Sequence, residues 1–588
     1  MTPAVKSKNP FLAHFASGKI KWNLWGESVL KRSAEIDKPL CIFVHNNENR
    51  WSHAMRDNLK NDEIVKLLNE DFVPVLADCY DEPQLTLAAR AMSHIMLGHA
   101  GWPLILFLTP DKRPIFASAY LPMQCEDPKT PGLLEVLRRI KWLWLMKKSQ
   151  IEAASNSFSV QLRKALLPYK GKLNAGLAAR TSSTLCVEAD FENGGFGKAP
   201  KFPYPGKLLL CLSLVENGLD DGRIEPFIKK SLDSYFYSAL YDHIGGGFFD
   251  YCKDVKLHQP YLGKHLALNA GMLSLYGRAY EHFKEPLYKF VFEDTLHAMH
   301  TYRRDDGLFL SGDDVHEEEA IENYYLCSNR NILSIPESDA QKFFNSFEIV
   351  VGGNYSNPMT GNPTKKHILY FPSEDKGKNW KDVQDICSKL HQTRLKKERP
   401  PVENCVRVSE NAYLAGVLAR ESKVMDEVGY LETALEIVNR LLRLENAKGF
   451  CHSVYGSELD GKATIEDMAA LAFACTEIYA VMKEKRWLDC AIEQCRKAQK
   501  LFGESGAMRA VSEGVLDIVP AYEDADYILS SGNGLFANVF TSIFELTGER
   551  TWLDKASSII NAFGGSLNEF STTCSALTAA ALRVDKFK

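Results

Sequence analysis

Cysteines, histidines and carboxylates set what chemistry this chain could carry. Dithiol exchange needs a thiolate and a second thiol to resolve the mixed disulfide. Fourteen cysteines, among them Cys41, Cys79, Cys125, Cys186, Cys211 and Cys252, are scattered through 588 residues, and no Cys-x-x-Cys occurs. That scatter also argues against zinc knuckles and a disulfide framework. After an apolar run over 39–45 comes Asn49-Arg50-Trp51-Ser52-His53, with Asn49 and Ser52 at the spacing of a redox pair. A serine hydroxyl at a helix start is a weak nucleophile without an adjacent base. Ser52 therefore reads as a capping residue and Cys41, inside the apolar run, as core. His53 and His99 make a thin metal set, so no metal or cofactor is expected.

General acid–base work needs Glu, Asp or His beside the reacting group, and sugar chemistry adds aromatic faces that stack on the ring. Candidates are Asp250, His258, Asp313, Asp314, Glu410, Glu466 and Asp467. His258, Asp313 and Asp314 are the first choices for catalysis, because they sit on or beside glycine loops. The competing reading of Asp313-Asp314, ahead of His316-Glu317-Glu318-Glu319, is a solvated acidic loop. Glu466-Asp467 follow Thr464 and read equally as a charged helix start. Tyr241, Phe248, Tyr251, Tyr261 and Tyr324 could line a pocket, or plug it.

These residues must be positioned by two kinds of architecture. From Asn23 to Met123 the pattern alternates: Asn23 can cap a helix to about Glu35, strands follow at 39–45 and 72–78, helices at 50–59, 62–69 and 83–97, and a strand pair at 104–108 and 114–120. This is the order of a thioredoxin-like module, in which Pro103, directly before a strand, stands where that fold keeps a cis proline. One helix is expected from 132 to about 166. From 174 onward the period becomes that of amphipathic helices separated by glycine-aromatic loops: Gly194-Gly195-Phe196, Gly245-Gly246-Gly247-Phe248-Phe249, Asp306-Gly307-Leu308-Phe309, Lys448-Gly449-Phe450 and Ser505-Gly506-Ala507. Twelve helices pair into six hairpins, which predicts a closed (α/α)6 toroid with its loops, and any pocket, at one mouth. The long interval between Gly307 and Gly449 predicts an insertion at about 320–405 with short strands at 323–326, 348–351 and 367–371. The charge-rich stretch 373–401 reads as an exposed, mobile loop.

The expected fold is thus α/β plus all-α: a thioredoxin-like domain over 1–168, then a six-hairpin toroid over 169–588 with a small β-containing insertion. The chain has 45% hydrophobic and 25% charged residues and a formal charge of -5, so it has ample cores and no basic field for nucleic acid. The first thirty residues lack a signal-peptide core, and no run of about 18 apolar residues occurs. A cytoplasmic protein without a membrane partner is expected.

In this order the residues resemble the spermatogenesis-associated protein 20-like family. The resemblance rests on Asn9-Pro10, Trp22, Trp25-Gly26-Glu27, Trp51, His53-Ala54-Met55, Gly101-Trp102-Pro103 and Phe107-Leu108-Thr109-Pro110-Asp111 in the first domain. In the second it rests on Gly194-Gly195-Phe196, Pro200-Lys201-Phe202-Pro203, Asp242 with Gly245-Gly246-Gly247-Phe248, His258, Pro260, Lys264, Asn269, Glu466-Asp467 and Gly532-Asn533. It implies a thioredoxin-like domain ahead of a six-hairpin glycosidase- and epimerase-like toroid, with Lys264, Asn269 and Asn533 joining Tyr241, Phe248, Asp250, Tyr261, Glu466 and Asp467 as binding residues. Departures weigh against full activity. The family's Cys-His-Trp-Cys-His is Asn49-Arg50-Trp51-Ser52-His53 here, and a histidine, a glutamate and an aspartate of the family pattern are Tyr261, Gly263 and Leu268. The expected role is a non-redox ligand-binding or scaffolding protein whose partner is a small carbohydrate or a protein ligand. The alternative is a carbohydrate isomerase, epimerase or hydrolase working at the toroid mouth.

Overall fold

The computed structural model describes residues 7–125, 131–357, 359–446, 449–503, 506–512, 514 and 517–587. Lys448 and Ser505, in two of the glycine loops, lie outside the described residues. The chain divides into two compact units: residues 1–168 with 444–465 and 497–523, and residues 169–443 with 466–496 and 524–588.

The first unit is thioredoxin-like. Strands β1 (Asn23–Leu24), β2 (Leu40–His45), β3 (Val73–Asp78), β4 (Leu104–Leu108) and β5 (Pro114–Ser118) form one sheet in the order β1-β3-β2-β4-β5. β3 runs parallel to β1 and β2, while β2–β4 and β4–β5 are antiparallel. Every residue of β2, β3 and β4 is buried, as expected for strands covered on both faces. The alternation of side chains divides them between two cores. Cys41, Phe43, Ile105 and Phe107 face one core; Leu40, Ile42, Val44 and Leu106 face the other, where segment 497–523 adds Val519 and Ala521.

The covering helices are α1 (Pro10–Phe15), α2 (Glu27–Ile36), α3 (Arg50–Asn58), α4 (Asp62–Asp71), α5 (Pro83–Leu97), α6 (Leu133–Met146) and α7 (Lys148–Leu166). Asn9 caps α1 through its Oδ1 and donates its Nδ2 to Asp81 and Tyr455. Two expectations are corrected. Asn23 caps no helix; it lies in β1, and α2 starts after Gly26. The single helix over 132–166 is two, broken at Lys147 (φ -141°). The Trp102–Pro103 peptide is cis, as expected, and Ala199–Pro200 is cis as well.

The second unit is an (α/α)6 ring. Its helices are α8 (Leu177–Glu188), α9 (Pro205–Glu216), α10 (Ile224–Tyr237), α11 (Leu266–Phe283), α12 (Pro286–Met299), α13 (Glu318–Tyr325), α14 (Asn329–Leu333), α15 (Glu337–Ser346), α16 (Glu374–Gly377), α17 (Gln384–Arg394), α18 (Val408–Val424), α19 (Val428–Leu441), α20 (Ile465–Met482), α21 (Lys485–Phe502), α22 (Gly532–Thr547), α23 (Arg550–Ala562), α24 (Gly564–Glu569) and α25 (Ser575–Asp585). Helices α9, α11, α18, α20, α22 and α25 form the inner layer. α9 packs on α11, α11 on α18, α22 on α25, and α25 returns to α9. Tyr413 of α18 meets Phe473 of α20 with ring centroids 5.6 Å apart. α11 is buried on all sides from Leu266 to Gly277, the mark of a helix enclosed by others. Close approach of the inner helices depends on glycine: a Cβ at Gly277 would lie 2.5 Å from the Glu421 carboxyl carbon, and one at Gly416 would lie 2.4 Å from the Phe473 ring.

The insertion is mostly helical, and its β-structure is limited to isolated bridges and a short ladder, not the strands expected at 323–326, 348–351 and 367–371. Residues 323–325 end α13, whose Ile321 and Tyr325 share a buried face at i,i+4 spacing. Residues 348–351 form no strand, and 367–371 holds a single bridge, Cys327 to His367. The stretch 373–401 is not a free loop. It carries α16 and α17, and Trp380, Ile386, Cys387, Leu390 and Arg394 are buried. Charge on the outer face hid this helical stripe from a reading by composition. A two-residue ladder, 312–313 with 402–403, closes the insertion at its base. Among the described residues, no helix is long and apolar enough to cross a membrane.

Candidate functional site

The redox position of the first unit is filled by structural hydrogen bonds. Asn49, not Ser52, is the N-cap of α3: its Oδ1 accepts from Trp51 N at 3.0 Å. Ser52 is fully buried one turn into that helix, and its Oγ accepts from the Asn46 amide at 3.1 Å. His53 Nε2 lies 2.9 Å from the Asn47 carbonyl oxygen, which ties the ring to the loop. Cys41 is fully buried, and burial pushes its thiol well above the ordinary range. His45, buried among Phe11, Phe15 and Phe43, is held at about 3 by burial and by His53, so it stays neutral. No nucleophilic sulfur stands at the position, and the side chains that replaced it are engaged in shaping the loop.

In the ring, the glycine-loop residues act mainly as braces. Asn269, in the first turn of α11, accepts from Phe248 N at 2.8 Å and donates to Phe248 O at 3.1 Å. Asn411 holds Phe309 in the same way from α18, at 2.7 and 2.9 Å. Each asparagine amide thus replaces a strand partner for its loop. Lys264 is buried and donates to Asp242 at 2.7 Å and to the Gly246 carbonyl. Arg394 from α17 joins the same Asp242 oxygen at 2.5 Å, so the insertion is anchored by a buried ion triad. The two cations hold the Asp242 carboxyl far below its usual range against the cost of burial.

Asp313 is equally committed: it accepts from Tyr302 OH at 2.8 Å, from Tyr325 OH and from Lys264 N at 3.1 Å. Asp314 lies 3.0 Å from His316 Nδ1. His258 is stacked on Tyr370 with centroids 4.1 Å apart, and burial lowers its pKa. Asp250 pairs with His265 Nδ1 at 2.6 Å, while His265 Nε2 faces the Asp313 carbonyl oxygen at 3.2 Å. His265 was missed in the sequence, although it adjoins Lys264. Tyr241 donates to Asp294, and its ring packs on Phe248. Tyr261 stacks on Tyr251, centroids 4.3 Å apart, and Tyr251 on Phe202. Asp467 and Asn533 are buried at the starts of α20 and α22, and Asp467 accepts from Ser409 N at 3.0 Å. Glu466 stands beside Asp467 in the first turn of α20.

The ring also encloses a space apart from His258, Asp313 and Glu466. A cavity of about 380 Å³ lies inside the inner layer, and none of those three lines it. All six inner helices contribute: Gly206 and Ser213 from α9, Ser274 and Arg278 from α11, Tyr413 and Arg420 from α18, Phe473, Thr476 and Glu477 from α20, Asn538 and Ser542 from α22, and Ala579 and Arg583 from α25. Most of its charged groups lie toward the C-terminal ends of these helices, while Asp526 lies ahead of α22 and accepts from Ser531 N at 2.9 Å and Ala576 N at 2.7 Å. Arg278 pairs with Glu216, Arg420 with Glu421 at 2.8 Å, and Arg583 with Glu545 at 2.7 Å. Arg583 also donates to Asn538 at 3.3 Å and Ser542 at 3.0 Å, and Arg420 to Ser274 Oγ at 3.2 Å. Burial raises the carboxyls of Glu421 and Glu477 despite these guanidiniums. The sequence signal for Glu477 was faint but present: after Asp467, it is the one charge in the rest of α20.

Comparison with known proteins gives three findings. Residues 3–163 match a family model described as Thioredox_DsbH, protein of unknown function, DUF255. Over 95% of its length the chain is 24% identical to human spermatogenesis-associated protein 20, covering 78% of that protein, and 23% identical to the mouse protein, covering 77% of it. Among solved structures, it is similar to D-mannose isomerase (10% identity, TM-score 0.45, 71% of this chain and 100% of that one) and to cellobiose 2-epimerase from Spirochaeta thermophila DSM 6192 (12%, TM-score 0.41, 70% and 100%).

Proposed function

We propose, for a chain similar to spermatogenesis-associated protein 20 over nearly its whole length, that the thioredoxin-like unit is a non-redox scaffold and that the helical ring binds a small carbohydrate in its axial cavity. One observation carries this reading: the cavity wall mixes fixed donors and acceptors without a surplus of either charge. Arg278, Arg420 and Arg583 are each matched by a glutamate, and Ser213, Ser274, Thr476, Asn538 and Ser542 stand between them. A polyol needs such a wall, because every hydroxyl both donates and accepts. Tyr413 and Phe473 supply faces for the C–H side of a sugar ring. A volume of about 380 Å³ lies within the range of small-molecule sites. The fourteen cysteines, none in a disulfide, support a cytoplasmic location.

Calorimetric titration with a panel of neutral mono- and disaccharides tests the proposal. At least one should bind, and Ala579→Phe, which fills the cavity, should abolish that binding while the far-ultraviolet spectrum and melting temperature are kept. The reading fails if no sugar binds, or if Ala579→Phe binds as well as the parent protein.

A further inference from the structure

Glu477 differs from every other carboxylate of the cavity. Glu216 and Glu545 of the wall, and Glu421 beside Arg420, each receive an arginine, and Asp526 accepts from the Ser531 and Ala576 amides. The Glu477 carboxyl lines the same space, yet among the described residues it makes neither a hydrogen bond nor an ion pair; it feels Arg420, Arg583 and Arg278 only at longer range. Leaving a partly desolvated carboxylate unpaired is costly, and the neighbouring guanidiniums are turned to other acceptors.

We propose that Glu477 is the specificity-determining acceptor of the axial cavity, and that it selects an uncharged ligand of monosaccharide size whose hydroxyl groups donate the hydrogen bonds this carboxylate lacks. The inference rests on the carbohydrate-binding reading above and deepens it. Charge in the wall argues for a neutral ligand. Facing Glu477 are Arg420 and Glu421 from α18, Arg278 from α11, and Arg583 from α25, while Glu216 of α9 and Glu545 of α22 neutralise the latter two. Glu281 of α11 adds a further negative field at Glu421, and Lys586 lies at the rim. An anionic sugar would meet the wall carboxylates Glu216, Glu477, Asp526 and Glu545, and a cationic one the guanidiniums of Arg278, Arg420 and Arg583 with Lys586.

Hydroxyl donors stabilise the ionised carboxylate over the neutral acid. Ligand binding therefore lowers the raised pKa of Glu477 toward its ordinary value and releases a proton. By linkage, affinity rises as pH increases from the ordinary carboxylate range through the raised pKa, then levels off.

The experiment uses the full chain and the tightest neutral sugar of the panel, titrated from pH 5 to pH 8 in two buffers of different ionisation enthalpy. The parent protein should bind more tightly at pH 8 than at pH 5, with proton release visible as a buffer-dependent heat. Glu477→Gln, nearly isosteric, should bind at least about tenfold more weakly at pH 8 and show a flat pH profile. The corresponding uronate or sugar phosphate should bind more weakly than the neutral sugar. If the sugar binds but Glu477→Gln leaves affinity and pH profile unchanged, or an anionic sugar binds better, this inference fails while the cavity reading stands. If no sugar binds the parent protein, both fall. Should Glu477→Gln fail to fold, the buffer-dependent heat of the parent protein decides, and its absence refutes the proposal.

Discussion

Replacing Asp242 with asparagine removes the carboxylate shared by Lys264 and Arg394, both less than about a tenth exposed. The side chain keeps its size, so the loss is one of charge. Two buried cations then face each other through a neutral amide, and Arg394 loses a partner 2.5 Å away. Breaking one member of a buried ion cluster costs about 3–5 kcal/mol, far more than an exposed pair would. At about 2 °C per kcal/mol, the lower end of the range and suited to a large unit, the melting temperature of the ring should fall by about 6–10 °C. Because Arg394 anchors α17, the loss should appear first as proteolytic cleavage within 373–401. Asp242→Asn combined with Arg394→Met should be less damaged than the sum of the single changes, since each removes the other's unpaired charge. Acid should mimic the substitution. The depressed folded pKa of Asp242 means that its contribution is complete above the unfolded carboxylate value of about 4 and is lost as pH falls below it. Thermal unfolding followed by circular dichroism at about pH 7 and about pH 2.5, below the unfolded carboxylate value, is the assay. A parent-like melting temperature for Asp242→Asn, with no gain in cleavage, would refute the structural role given to the triad.

Glu82, raised to about 8 by burial and by Asp81, Asp460 and Asp78, binds a proton in the folded state that the unfolded chain releases near 4.3. Urea unfolding should therefore show stability of the first unit declining from about pH 5 to pH 8, and Glu82→Gln should flatten that slope. Gly416→Ala pushes a methyl against Phe473; unfolding should show a cost of about 1–3 kcal/mol, and calorimetry a weaker sugar titration as the ring is driven into the cavity. Ser52→Ala strips the Asn46 amide of its acceptor and should destabilise the first unit by about 1–2 kcal/mol. In an insulin-reduction assay neither the parent protein nor Cys41→Ser should turn over; activity that Cys41→Ser removes would show that the buried thiol is reached after all.

The legible parts of this fold were those decided within a few residues. The buried strand over 40–45, the proline before β4 and the glycine-aromatic loops follow from local apolar patterning and backbone freedom. The insertion was misread because composition outweighed period: 373–401 is rich in lysine and aspartate, and its helical stripe of Ile386, Cys387, Leu390 and Arg394 emerges only when positions are compared at helical spacing. Asn269 and Lys264, expected as binding residues, hold a loop and an ion triad in the structure. A motif shows that a residue has a fixed partner and does not say whether that partner is ligand or protein.

Sequence alone determined that the leading unit lacks a dithiol and that paired helices with glycine loops follow, because missing sulfur and apolar period are properties of neighbouring residues. Only the tertiary structure decided which polar groups share a cavity. Glu216, Arg278, Arg420, Glu477 and Arg583 lie on five different helices, and each alone reads as an ordinary helical charge. Closure of the ring turns them toward one axis, where low dielectric and mutual distance give them a common chemistry.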